Sequence, residues 1–170
     1  MEYAAALALG FGGDADRAQP LADDLARRFP EGTLVQSVWV PMIRAQFALD
    51  RKDAAKAIEL LQAAVPYELE AVPGEPAALN SAAMRGKAYL AAHQGTEATA
   101  EFQKIIDHPG VVTNEPIGAL AHVGLARAYA MQGDATKARA AYQDFLTLWK
   151  DADPDIPILK QAKAEYAKLQ

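Results

Sequence analysis

Four alanines, Ala18, Ala57, Ala98 and Ala138, recur at intervals of 39, 41 and 40 residues. A fixed period of this length marks a chain assembled from stacked supersecondary units. The unit is clearest in residues 119–153, ALAHVGLARAYAMQGDATKARAAYQDFLTLWKDAD, which reads as two antiparallel helices joined at Gly133-Asp134. Around the period-setting alanine its partners recur as well. Ala126, Tyr129, Ala138 and Tyr142 in the last unit match Gly86, Tyr89, Ala98 and Phe102 in the third. Ala45, Ala48, Ala57 and Leu61 hold those places in the second unit, and Ala6, Leu9, Ala18 and Ala22 in the first. A hairpin of two helices cannot bury both faces alone. A small residue on each helix lets the pair close, and the large residues meet the next pair.

Composition agrees with helices throughout. The chain is 51% hydrophobic, with alanine supplying much of that share, and alternating β-branched runs are missing. Alanine favours the helix and lets helices approach closely. The class is all-α. The net charge is -5, of which residues 1–74 hold -4, which argues against nucleic acid or anionic lipid as a non-specific partner. The chain has no cysteine, so disulfides, thiolate zinc sites and cysteine nucleophiles are excluded. No run of 18 apolar residues is present, so no membrane-spanning helix is expected. Glu2 stands where a secretory signal carries positive charge, and the N-terminus reads as half a repeat, as in a fragment of a longer protein. A cytoplasmic location is the expectation.

Taken in order, helices are expected over residues 2–11, 15–29, 33–50, 54–64, 77–92, 96–106, 116–132, 135–150 and 158–169. Asp14, Thr33, Asp53 and Thr96 are the expected caps. Pro20 and Pro41 fall inside helices and predict kinks. The segment VPYELEAVPGEP, residues 65–76, and the segment VVTNEP, residues 111–116, are long connectors. The expected organisation is a single repeat domain over 1–170. Its units are about 2–30, 33–66, 77–109 and 116–150, with a capping helix at 158–169.

The small-large-Gly-Asp-small-large pattern resembles the tetratricopeptide repeat, whose usual period is about 34. The resemblance implies a right-handed superhelix of about four hairpins plus a C-terminal capping helix. The longer spacing here implies longer connectors, and Gln94 and Phe145 depart from the pattern. The stretches ARRFPEGTLVQ, LAAHQGTEATAEFQKIIDHPG, NEPIGALAHVGLARAYAMQGD and YQDFLTLWKDADPDIPILKQAKAEYAKL also resemble the C-terminal tetratricopeptide region of bacterial signalling proteins. Such proteins carry an N-terminal serine/threonine kinase or a winged-helix domain. This likeness implies a sensor or docking module; the kinase motifs themselves are missing from the chain.

In such a superhelix the first helix of each pair lines the inner face. That register gives Trp39, Met42, Gln46, Asn80, Met84, Lys87, Val123, Arg127 and Met131 as candidate residues of a peptide-binding groove. Lys87 and Arg127 occupy equivalent places in adjacent repeats. They either hold carboxylates of an extended peptide, or are solvated surface charges, or pair with nearby glutamates. Trp39 and the methionines either line an adaptable apolar groove or pack in the core. Met84 and Gly124 stand where a tetratricopeptide carboxylate clamp would carry polar ligands, so that clamp is not expected.

No catalytic residue, metal site or cofactor is expected. His93, His108 and His122 fall in different units. Asp151, Asp153 and Asp155 begin like a calcium loop, but Ile156 and Ala162 replace its glycine and closing glutamate. Gly10 to Gly13 lack the spacing and lysine of a phosphate loop. The expected function is a non-catalytic protein-protein interaction scaffold with a protein or peptide partner. The alternative is a structural module that self-associates or packs on another domain of its own polypeptide.

Overall fold

The computed structural model describes residues 14–69 and 79–169, together with Ala5, Ala8, Leu9 and Gly12. The expected first helix therefore lies largely outside the described residues, as do residues 70–76 of the long connector and residues 77–78 of the helix expected after it. The regular structure described is helical, in the order α1 (Ala15–Arg28), a π-helical turn (Val35–Trp39), α2 (Val40–Asp50), α3 (Ala54–Leu61), a 3-10 turn (Gln62–Tyr67), α4 (Asn80–Ala91), α5 (Gly95–Asp107), α6 (Pro109–Val112), α7 (Ile117–Met131), α8 (Ala135–Leu148) and α9 (Pro157–Ala167). The pairs α2–α3, α4–α5 and α7–α8 form hairpins, and α4 and α7 also touch the preceding hairpin. The result is a stack of helix pairs with α9 packed on α8 at its end.

The period-setting alanines explain the stack. Ala18, Ala57, Ala98 and Ala138 are all fully buried, as are Ala45 and Ala126 on the facing helices. A larger side chain at these points would hold each pair apart. The large partners Leu61, Phe102 and Tyr142 are buried as well. Phe102 of α5 has the tightest surroundings. A Cβ built on Gly86 of α4 would stand 2.8 Å from its ring, and one built on Gly124 of α7 only 2.4 Å. The ring therefore fills a slot between two neighbouring helices that exists because both residues are glycine. The core divides into two clusters: Ala18 to Leu61 with Met84 and Ala88, and Leu79 to Ala162. Helix α4 supplies side chains to both and joins the halves.

The three hairpin turns share one design. After α7, Gly133 takes φ +79°, its N–H bonds Ala130 C=O, and the Asp134 N–H reaches back to Tyr129 C=O at 3.0 Å. The same pair of bonds closes α2 through Lys52 (φ 62°) and Asp53, and closes α4 through His93 (φ 58°) and Gln94. This left-handed C-terminal turn suits glycine, and side chains there carry strain. Asp53 and Asp134 then cap the following helices by accepting from Lys56 N–H and Lys137 N–H, each at 3.0 Å. Asp14 does the same for Arg17 N–H at 3.3 Å.

Several local expectations change. Thr96 does not cap α5. That helix starts at Gly95 with Gln94 as its cap residue, and Gln94 makes no side-chain capping bond. Gly95 lies so close to α7 that a Cβ would meet Gln132 Cγ at 2.9 Å. The Gln132 amide uses this proximity, donating to Gly95 C=O and to Thr99 Oγ1. Thr33 is likewise already helical. Pro41 does not break its helix. The chain widens into the π-helical turn just before it, with Val40 N–H bonding Val35 C=O, which absorbs the bond that proline cannot make. Helix α1 runs through Pro20. The extra length per repeat goes into the 3-10 turn after α3 and the short helix α6.

Two predictions follow from this packing and these turns. Gly124→Ala should lower the unfolding free energy by about 1–3 kcal/mol in urea denaturation, because the added methyl overlaps Phe102. Gln94→Asp should raise it by about 1 kcal/mol, because Gln94 has φ -103° and ψ 76°, close to the capping geometry of Asp134 at -84° and 76°.

Candidate peptide-binding groove

The nine candidate groove residues divide by burial. Met42, Met84 and Val123 are 1–2% exposed and belong to the core clusters. Trp39 is half-buried against the N-terminal cluster. Asn80 and Gln46 are half-buried, and Gln46 donates to Asp50 Oδ1 at 2.9 Å on its own helix. Met131, the last residue of α7, is 39% exposed. The two cations differ sharply in their surroundings.

Lys87 stands on α4 and is exposed, and among the described residues no carboxylate pairs with it. Even so, burial by the surrounding protein lowers its pKa, and the cationic Arg127 lowers it further. The ammonium is thus accessible to solvent yet crowded by protein on one side. Protein displaces bulk water around it, while the open side keeps it wet. Helices α4 and α7 touch, which brings the two cations into each other's field.

Arg127 on α7 is held by α9. Its Nε donates to Glu165 Oε2 at 2.9 Å and its Nη2 donates to Glu165 Oε1 at 3.0 Å, a two-pronged pair. Both side chains remain 34% exposed. The Tyr142 hydroxyl donates to the same Glu165 Oε2 at 2.6 Å. Burial and then the Glu165 carboxylate raise the Tyr142 pKa, while Arg127 and Tyr142 outweigh burial and hold the Glu165 carboxyl below its usual value. Glu165 is the one acidic residue in α9. Spacing gave no sign that it returns to α7, since the two positions are 38 residues apart.

A second charged cluster fixes the helix that carries Lys87. Arg85, 1% exposed, occupies the core register that Leu125 holds one repeat later. All five of its N–H groups are used. They reach both oxygens of Glu68, both oxygens of Glu101 and the Leu61 carbonyl, at 2.6–3.0 Å. Ser81 Oγ donates to Glu68 Oε1 at 2.8 Å, and Lys104 Nζ donates to both glutamates. Two cations and two carboxylates make the group neutral, and it pins the segment after α3 to both α4 and α5. A charged residue at a leucine register was its signal in the sequence. The partners were not legible, because Glu68 comes from an irregular connector.

A cleft of about 600 Å³ lies elsewhere, between α6 and the ends of α5, α7 and α8, lined by Val112, Asn114, His122 and Trp149 among others. His122 Nδ1 is 3.8 Å from Asp144 Oδ2, and burial lowers the histidine pKa. Among the described residues no group of three or more His, Asp or Glu is placed to hold a metal ion, and no helix is long and apolar enough to cross a membrane.

The stacked hairpins, with small residues at the closing points and glycine or aspartate at the turns, define an α-helical repeat scaffold. The tetratricopeptide repeat family model matches residues 83–155, from α4 through α8, and this stretch is a tetratricopeptide-type repeat region. Comparison with curated proteins and with solved structures gives no match.

The Arg85 cluster makes stability acid-sensitive. Arg85, Lys104 and Ser81 outweigh the opposing effect of burial and hold the Glu68 carboxyl below its ordinary value of 4.5. Its contribution is complete above that value and is lost as pH falls through the folded-state pKa. Chemical denaturation between pH 7 and 3 should show stability falling steeply below about pH 4.5. Glu68→Gln should flatten that fall and cost about 3–5 kcal/mol at pH 7, because Arg85 and Lys104 are left with Glu101 as their one shared counter-charge.

Proposed function

We propose that the chain is a protein-binding scaffold that takes a peptide segment along the wall formed by α2, α4 and α7. The nine groove candidates form one site in this reading. Met42, Met84 and Val123 shape it from beneath, and Trp39, Gln46, Asn80, Lys87, Arg127 and Met131 meet the ligand. The observation that supports it best is Lys87, an exposed cation on the first helix of a hairpin in the tetratricopeptide-type region, with no carboxylate partner among the described residues. A preformed wall bearing a cation suits an extended segment with an acidic anchor. Reaction chemistry has no part in this reading.

The whole chain is, in this proposal, one repeat domain that serves as the sensor or docking module of a larger bacterial signalling protein, such as a serine/threonine kinase, in the cytoplasm. The support is the likeness of the four stretches from ARRFPEGTLVQ to the C-terminal helix. A second reading, self-association or packing on another domain, is favoured by large apolar side chains open to solvent, among them Leu148 at 60% and Leu69 at 52%. Sedimentation equilibrium separates the two, since self-association makes the mass rise with concentration.

Affinity capture with the chain as bait, beside Lys87→Glu, tests the groove directly. A partner held by the parent and lost by the folded variant is the expected result. Equal capture by both forms would reject Lys87 as an anchor.

A further inference from the structure

We propose that Glu165 of α9 is a built-in competitor for the groove, and that an acidic partner segment binds fully by displacing it from Arg127. The inference rests on the groove reading above. Its basis is the asymmetry between two equivalent cations. Lys87 is open, while Arg127, one repeat along, already holds a carboxylate in the two-pronged geometry that an acidic ligand would use. That carboxylate comes from a helix at the end of the stack rather than from α7's own hairpin.

The contact is placed so that it can be exchanged. Arg127 and Glu165 are each about one-third exposed, unlike the sealed Arg85–Glu68 pair at 1% and 2%. A ligand carboxylate can therefore approach Arg127 from solvent without a buried charge being left unpaired. Helix α9 has anchors that do not depend on Glu165. Leu159 and Ala162 are buried, Tyr166 accepts from Gln143 at 2.7 Å, and Arg139 donates to Leu169 C=O at 2.9 Å. Loss of the Arg127 contact thus frees the cation while α9 stays docked. Helices α4 and α7 touch and Arg127 acts electrostatically on Lys87, so the two cations are close enough for one short segment to reach both. Carboxylates on alternate residues of an extended chain fall on one face, about 7 Å apart, and their flexible side chains can serve two neighbouring cations. The partner is then a segment with two or more closely spaced acidic residues. A ligand with one carboxylate engages Lys87 alone and leaves Glu165 in place.

The test uses fluorescein-labelled hexaglutamate, with hexaglutamine as control, in anisotropy titrations against the full chain. Glu165→Gln should tighten hexaglutamate binding about five- to tenfold. Tyr142→Phe, which removes the other bond to Glu165 and keeps the ring, should shift affinity in the same direction. Glu59→Gln on α3 makes the same change in net charge and should do much less. Hydrogen exchange in α9 of the parent should stay low when hexaglutamate is added, because its other anchors keep the helix docked. If the parent binds hexaglutamate and Glu165→Gln matches Glu59→Gln, the competitor role is overturned and the groove stands. If no folded form prefers hexaglutamate to hexaglutamine, both the groove reading and the competitor role fall.

Discussion

The junction between the last two hairpins depends on one aromatic ring. Phe102 projects from α5 into the space between α4 and α7, and the absence of side chains at Gly86 and Gly124 is what admits it. Three helices from two successive hairpins meet on that ring, so it sets the distance between repeats as well as the distance within one. The fully buried alanines at the period-setting positions perform the same task within each pair. Small residues fix how close the helices come, and the large ones fill what remains at the density of a protein interior.

The Arg85 cluster solves a different problem. Helix α4 lies between two apolar clusters and must hold both. A guanidinium at a leucine register, with all its donors satisfied, fixes orientation more narrowly than an apolar contact would. It ties α4 to the connector behind it and to its own partner helix. Lys87 lies two residues further along α4, so the cluster also sets the direction in which that cation is presented. A hydrophobic replacement of similar volume can be equally stable. What this cluster adds is a fixed geometry and a dependence on pH.

The two ion-pair systems differ by environment rather than by chemistry. Arginine meets glutamate in both, through paired hydrogen bonds. The Arg85 pairs are shut away from water, where losing one partner leaves an uncompensated charge. The Arg127–Glu165 pair is wet on one side, where water and other carboxylates compete on similar terms. The first suits a permanent joint and the second an exchangeable one.

Periodicity and turn chemistry determined the helical class, the hairpin pairing, the buried alanines and the position of most helix ends, because each of these depends on residues close in sequence. The caps at Asp14 and Asp53 were legible for the same reason, as was the turn at Gly133-Asp134. Thr96 was not, because the approach of Gly95 to Gln132, 37 residues away, set where α5 begins. Lys87 and Arg127 could be placed in one register from the repeat, but their difference in state could not. Arg127 meets Glu165 and Arg85 meets Glu68 only after the hairpins stack. Met42, Met84 and Val123 entered the core on the same terms, since which side of a first helix faces solvent depends on the hairpins beside it. Local residues defined the units, and the contacts between units decided which charges were paired and which stayed open to solvent.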